Sequence, residues 1–126
     1  MSFIVFALPR SRTRWLSEFL SYGDWHCRHE QAIFMRSMQD VRDLFELPRT
    51  GTVETGVMYG WRLLRHMYPD LKMAVIRRPV QEAVDAMMRV DISSVGAYDR
   101  SAVEKLFLFA DRMLQQIANE PGNLAL

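Results

Sequence analysis

The stretch from Phe3 to Leu20 constrains this chain more than any other. Phe3-Ile4-Val5-Phe6-Ala7-Leu8 is a continuous apolar run of the kind that forms a strand buried on both faces. Pro9-Arg10-Ser11-Arg12-Thr13-Arg14 interrupts it with charge and hydroxyls. Trp15, Leu16, Phe19 and Leu20 then recur at the spacing of an amphipathic helix. A strand that passes through a short polar loop into a helix leaves unpaired backbone N–H groups, at the positive end of the helix dipole, facing the loop. Arg10, Arg12 and Arg14 add fixed positive charge there. Ser11 and Thr13 are suited both to capping the helix and to touching a ligand. The segment is a candidate anion cradle.

The rest of the chain repeats the strand-then-helix alternation. Short extended segments are expected at Trp25-His26-Cys27, Thr52-Val53-Glu54-Thr55 and Met73-Ala74-Val75-Ile76, with a last one beginning within 123–126. Gly23 is the expected stop of the first helix. A cap at Ser37-Met38-Gln39-Asp40 opens a helix carrying Met38, Val41 and Phe45, and Phe34 precedes it at the same spacing. Arg49-Thr50-Gly51 reads as a turn. Met58, Trp61, Leu64 and Met67 mark a third helix, broken at Pro69-Asp70. Pro79 suits a first helical position, before the stripe Val80, Ala83, Val84, Met87 and Met88. Residues 91–99 read as a loop. A capping box, Ser101-Ala102-Val103-Glu104, opens a long helix with Val103, Leu106, Phe107, Ala110, Met113, Leu114 and Ile117 inward, stopped by Pro121-Gly122. This alternation predicts one α/β domain over 1–126, with a central parallel sheet of four to five strands covered on both faces.

Composition narrows the partners. At 126 residues and a net charge of +1, the chain gives no global reason to expect a nucleic acid or an anionic membrane. Its 16 basic residues are all arginine except Lys72 and Lys105. Arginine grips phosphate and carboxylate bidentately, which suits an anion site, although an arginine-rich codon bias gives the same count. The single cysteine, Cys27, excludes an internal disulfide and fits a reducing, cytoplasmic setting. The first apolar run is too short for a signal sequence or a membrane span. Cys27 and His29 lie close together without a second ligand cluster, so no metal site is expected.

The arginine loop occupies the place of a Walker A loop but lacks G-x-x-x-x-G-K-[ST] and has no lysine. Pro9-Arg10-Ser11-Arg12-Thr13-Arg14-Trp15-Leu16 resembles the 5′-phosphosulfate loop of the sulfotransferases, P-[KR]-S-G-T-[TS]-x-[LV]. Pro9, Arg10, Ser11, Thr13 and Trp15 match, Trp15 falling where the cytosolic branch sets a tryptophan against adenine. Arg12 stands in place of the glycine and Arg14 in place of the second threonine. Val75-Ile76-Arg77-Arg78-Pro79 is similar to the family's 3′-phosphate element, with Arg77 as the phosphate-binding arginine and Asp85 where that element has a serine. Cys27-Arg28-His29-Glu30-Gln31 is similar to the C-G-E-E-T stretch of tyrosylprotein sulfotransferases, placing Glu30 at the catalytic base. The family's later glycine- and lysine-rich 3′-phosphate loop has no counterpart.

The resemblance implies a P-loop-like three-layer α/β/α fold. It also implies sulfuryl transfer from 3′-phosphoadenosine-5′-phosphosulfate (PAPS), with no metal, to a hydroxyl or amine on a small-molecule or protein acceptor. Arg10, Ser11, Arg12, Thr13, Arg14, Trp15 and Arg77 would hold the donor. Arg10 would stabilise the leaving-group charge, with Glu30 or its neighbour His29 as base. Two alternatives stay open: a non-catalytic nucleotide-, anion- or protein-binding module of the same fold, and a nucleotide kinase-like enzyme. Glu54, at the end of an expected strand, is a further candidate for the pocket.

Overall fold

The computed structural model describes residues 3–90 and 98–126. Five strands, β1 (Phe3–Ala7), β2 (His26–His29), β3 (Thr50–Glu54), β4 (Lys72–Ile76) and β5 (Leu124–Ala125), form one sheet in the order β2-β3-β1-β4-β5. Every pairing is parallel. The helices are α1 (Thr13–Phe19), α2 (Met38–Phe45), α3 (Trp61–Met67), α4 (Val80–Met88) and α5 (Arg100–Asn119), with 3-10 turns at Gln31–Phe34 and Val57–Gly60. This is the α/β architecture expected from the alternation of runs.

The two sheet faces are covered unequally. Ile4, Phe6, Met73 and Val75 pack on the side of α2, α3, α4 and α5, against Phe45, Trp61, Val84, Phe107, Leu114 and Ile117. Val5, Cys27 and Val53 face the other way, under Leu16 and Leu20 at the α1 end, with Phe3, Ala74 and Ile76 partly buried beside them. Successive β1 residues therefore serve opposite layers, as the pleat requires.

Several boundaries differ from the sequence reading, for local reasons. Helix α1 ends at Phe19, and Gly23 takes its left-handed conformation (φ 57°) in the following turn instead of at the helix end. The side of α1 that meets the sheet carries Thr13 and Ser17, with Leu16 and Leu20 partly buried. Trp15 and Phe19 stack on each other outside, 60 and 67 % exposed. The apolar stripe is thus split, its two largest rings lying outside. Similarly, Leu106 of α5 is exposed while Val103, Phe107, Ala110, Leu114 and Ile117 are buried. Helix α5 is capped by Asp99, whose carboxylate accepts from the Ala102 N–H at 3.0 Å, so Ser101 and Glu104 do not form its start. The box at Ser37 and Asp40 is present, but α2 begins at Met38 and Phe34 belongs to the preceding 3-10 turn. Pro79 is the residue before α4. Of the expected loop at 91–99, residues 91–97 lie outside the described residues.

Thr50 and Gly51 are strand, where the sequence reading placed a turn. Gly51 pairs with Phe3 across the sheet, and a Cβ on Gly51 would sit 2.1 Å from the Phe3 ring. The glycine is there because an aromatic side chain lies across the backbone, as happens where a strand needs a close approach. Gly51→Ala should therefore destabilise the protein by ~1–3 kcal/mol through overpacking. Urea unfolding should show the loss, and combining Gly51→Ala with Phe3→Leu should restore part of it.

Candidate functional site

In this strand order the chain leaves β1 toward β2 and leaves β4 toward β5, so the connections diverge between the neighbours β1 and β4. Ligands of open α/β sheets bind at such a point, beyond the carboxyl ends of the strands. The loop after β1 carries Arg10, Ser11 and Arg12, and the loop after β4 carries Arg77, Arg78 and Pro79. The two are joined directly: Arg78 Nη1 donates to the Arg10 carbonyl at 2.6 Å, while Arg78 Nε pairs with Glu82 at 3.2 Å.

The arginine loop has an unusual backbone. Arg10 (φ 67°) and Arg12 (φ 57°) both lie in the left-handed region. Arg12 holds this conformation as the residue before α1, and no side chain caps the helix. Each such residue costs about 1 kcal/mol relative to glycine. Arg12 thus adopts a backbone that glycine would take without strain, and its side chain is exposed instead of filling the loop.

Around this loop lies an open cleft of about 360 Å³, lined by Arg10, Arg12, Thr13, Arg14 and His29. Three guanidinium groups and one imidazole line its wall. Thr13 Oγ1 and His29 Nε2 are 2.8 Å apart, a hydrogen bond that ties the loop to the end of β2. A second cleft of about 320 Å³ is lined by Ser11, Arg12, Ile76, Arg78 and Glu82. Ser11 Oγ is buried and has no hydrogen-bond partner in the protein. A buried hydroxyl without a partner, set among cations, suits an oxygen-rich anion.

His29 and Glu30 part company at the strand end. Glu30 adopts φ 52°, donates its N–H to the Val53 carbonyl at 3.0 Å, and accepts from the Thr55 N–H at 3.3 Å. Its carboxylate is thereby turned to β3, whereas His29 lines the cleft. Glu54 lies beneath this turn, fully buried. Its Oε1 accepts from Thr52 Oγ1 at 2.5 Å and from the Gln31 N–H at 2.9 Å, and the Ala32 N–H reaches it at 3.3 Å. Burial outweighs these donors and pushes the Glu54 carboxyl up to about 7, with the nearby Glu30 charge acting in the same direction. Burial and Glu54 also push the Cys27 thiol up to about 11, which leaves that sulfur protonated and unreactive. Glu54 does not line the cleft; it anchors the turn that carries His29 to it. Its place in the short extended segment Thr52-Val53-Glu54-Thr55 is the sequence signal that marks it.

The second block is arranged differently from the resemblance. Arg77 is held by Asp111 of α5, Nε to Oδ1 at 3.0 Å and Nη2 to Oδ2 at 2.8 Å, and also by Gln115. The Asp111 hydrogen bonds raise the pKa of the guanidinium. Asp85 pairs with Arg100, so its charge is compensated within the helices. Trp15 is exposed, with one ring face on Phe19. The structure therefore assembles Arg10, Arg12, Thr13, Arg14 and His29 around one cleft, keeps Ser11 at its neighbour, and places Arg77 in an ion pair on α5.

Among the described residues no group of three or more His, Cys, Asp or Glu is placed to hold a metal ion. Nor is any described helix long and apolar enough to cross a membrane. The fold is shared with mouse sulfotransferase SULT7A1, whose structure is complexed with PAP. The likeness has a TM-score of 0.68 at 16% identity and covers 99% of this chain and 51% of that one. The chain thus spans about half the length of this neighbour, and the likeness is one of fold. No family model and no curated protein sequence matches the chain.

Glu54 makes stability depend on pH in a definite direction. Its native carboxyl keeps a proton up to about pH 7, against an ordinary value of 4.5. The native state therefore binds more protons than the unfolded chain between these values. Stability is fully present below pH 4.5, falls as pH rises toward 7 and levels off above it, a change of the order of a few kcal/mol. Urea unfolding across this range should show the decline, and Glu54→Gln should flatten it.

Proposed function

We propose that the chain is a sulfotransferase-like protein that binds PAPS through the Arg10–Arg14 loop and transfers its sulfuryl group to a hydroxyl or amine acceptor. The observation that carries this reading is the cleft where three arginines, Thr13 and His29 converge at the carboxyl end of β1. The unpartnered Ser11 hydroxyl supports it, since it offers a ready donor to a phosphate or sulfate oxygen. PAPS would supply an activated sulfuryl group on a phosphate leaving group.

The chain's own residues then divide the work. Arg10 and Arg14 compensate the charge that develops on the leaving oxygen, which counts for most in a site where the charges are fixed in advance. Thr13 orients His29, and His29 takes the acceptor proton, because the Glu30 carboxylate is turned to the Thr55 N–H. Trp15 offers its free ring face to adenine. Arg77 would meet a 3′-phosphate by leaving Asp111, an exchange made affordable by the exposure of that pair.

The second reading, a module that binds the nucleotide without transfer, is favoured by the Arg77–Asp111 pair and by the left-handed strain at Arg10 and Arg12.

Calorimetry against adenosine 3′,5′-bisphosphate, AMP, ATP with magnesium and sulfate tests the proposal. Saturable binding of the bisphosphate is expected, with Arg10→Ala weakening it about tenfold or more, the equivalent of one lost charge-assisted hydrogen bond. A preference for ATP with magnesium would replace this reading with a kinase, and no heat with any of them would remove the nucleotide altogether. Turnover of PAPS in the presence of a phenol should fall at least a hundredfold in His29→Ala with bisphosphate affinity retained. The same loss in Glu30→Gln, with His29→Ala active, would move the base to Glu30. Binding without turnover would leave the second reading.

A further inference from the structure

A separate cleft of about 360 Å³ lies at the opposite face of β2, between the 3-10 turn Gln31–Phe34 and α2. Strand alternation separates it from the arginine loop: Cys27 and His29 point to the α1 side, and Arg28 points the other way. Its wall combines Arg28 with Phe34, Met35, Leu44 and Leu47. Arg28 Nε is buried and has no hydrogen-bond partner, and the guanidinium's contact with Gln31 Oε1 is long, at 3.4 Å. A partly buried arginine held by an edge strand with a free N–H is a donor waiting for an oxygen.

Two acids also line the cleft, and each has one oxygen engaged within α2 or at its start. Asp40 Oδ2 accepts from the Arg36 and Ser37 N–H groups, each at 2.8 Å, which holds its carboxyl below the usual range. Asp43 Oδ1 accepts from Gln39 at 2.7 Å. They do not reach Arg28 as ion-pair partners, yet their negative charge opposes a multiply charged ligand such as phosphate. A single carboxylate on an apolar body fits the cleft with the least repulsion from these acids: one charge for Arg28, and hydrocarbon for Phe34, Met35, Leu44 and Leu47. The volume is that of a small-ligand site.

We propose that this cleft binds a small amphipathic monocarboxylate, its headgroup on Arg28 and its apolar part against Phe34 and Leu44. The site does not rest on the nucleotide reading, since it shares no lining residue with the arginine cleft.

The probe is 3-phenylpropionate, titrated into the isotope-labelled full chain and followed by amide chemical shifts, with the neutral 3-phenylpropanamide as control. Saturable shifts are expected at Arg28, Gln31, Phe34, Met35, Leu44 and Leu47, with the amide at least tenfold weaker. Arg28→Gln should weaken the carboxylate tenfold or more while leaving binding of adenosine 3′,5′-bisphosphate at the other cleft unchanged. Absence of saturable shifts, equal binding of acid and amide, or shifts confined to the Arg10–Arg14 loop would each overturn the proposal. If Arg28→Gln does not fold, the comparison of acid with amide on the unaltered chain decides it.

Discussion

β1 is hydrogen-bonded along both edges, to β3 on one side and β4 on the other, with Val5 opposite Val53 and Ala74. This double parallel pairing sets the position of everything that follows the strand. The Pro9–Arg14 loop emerges at the sheet's centre, next to the loop that carries Arg77 and Arg78, and the Arg78–Arg10 hydrogen bond closes the two together. Parallel strands place their carboxyl ends at one rim, so the chain's candidate binding groups gather at that rim although they are far apart in sequence.

A second layer of support comes from β3. Glu54 pairs in register with Phe6 and buries its carboxylate beneath the turn after β2. By accepting from Gln31 and Ala32 it holds that turn, and Glu30 fastens the same turn to Thr55. His29 is thereby set against Thr13. The cleft thus rests on a buried acid that is not itself among its lining residues. Such a group is expensive to bury and is expected where it fixes geometry.

Much of this was legible in the residues. The unbroken runs at Phe3–Leu8 and Met73–Ile76 mark parallel strands because they are apolar on both faces and too short for a buried helix. The loop between them and the helices is marked by Arg10, Arg12 and Pro79. What escaped the reading was decided by contacts between distant segments. Gly51 looks like a turn residue until the Phe3 ring is laid across it. Trp15 and Phe19 look like core until α1 is seen to sit on the sheet through Thr13 and Ser17. The identity of Arg77's partner, Asp111, is fixed only by α5, more than thirty residues on, where no local pattern links the two. The turning of the Glu30 carboxylate to β3, while His29 lines the cleft, follows from a left-handed residue, which no pattern of side chains announces.

The proposed nucleotide site stands or falls on whether the turn after β1 holds a terminal anion. The most direct measurement is a titration of the isotope-labelled chain with adenosine 3′,5′-bisphosphate, read at the backbone amides. Saturable shifts centred on Arg10, Ser11, Arg12 and Thr13 are expected, with His29 moving in step. Unmoved loop amides, or a response centred on residues away from the β1 and β4 carboxyl ends, would contradict it.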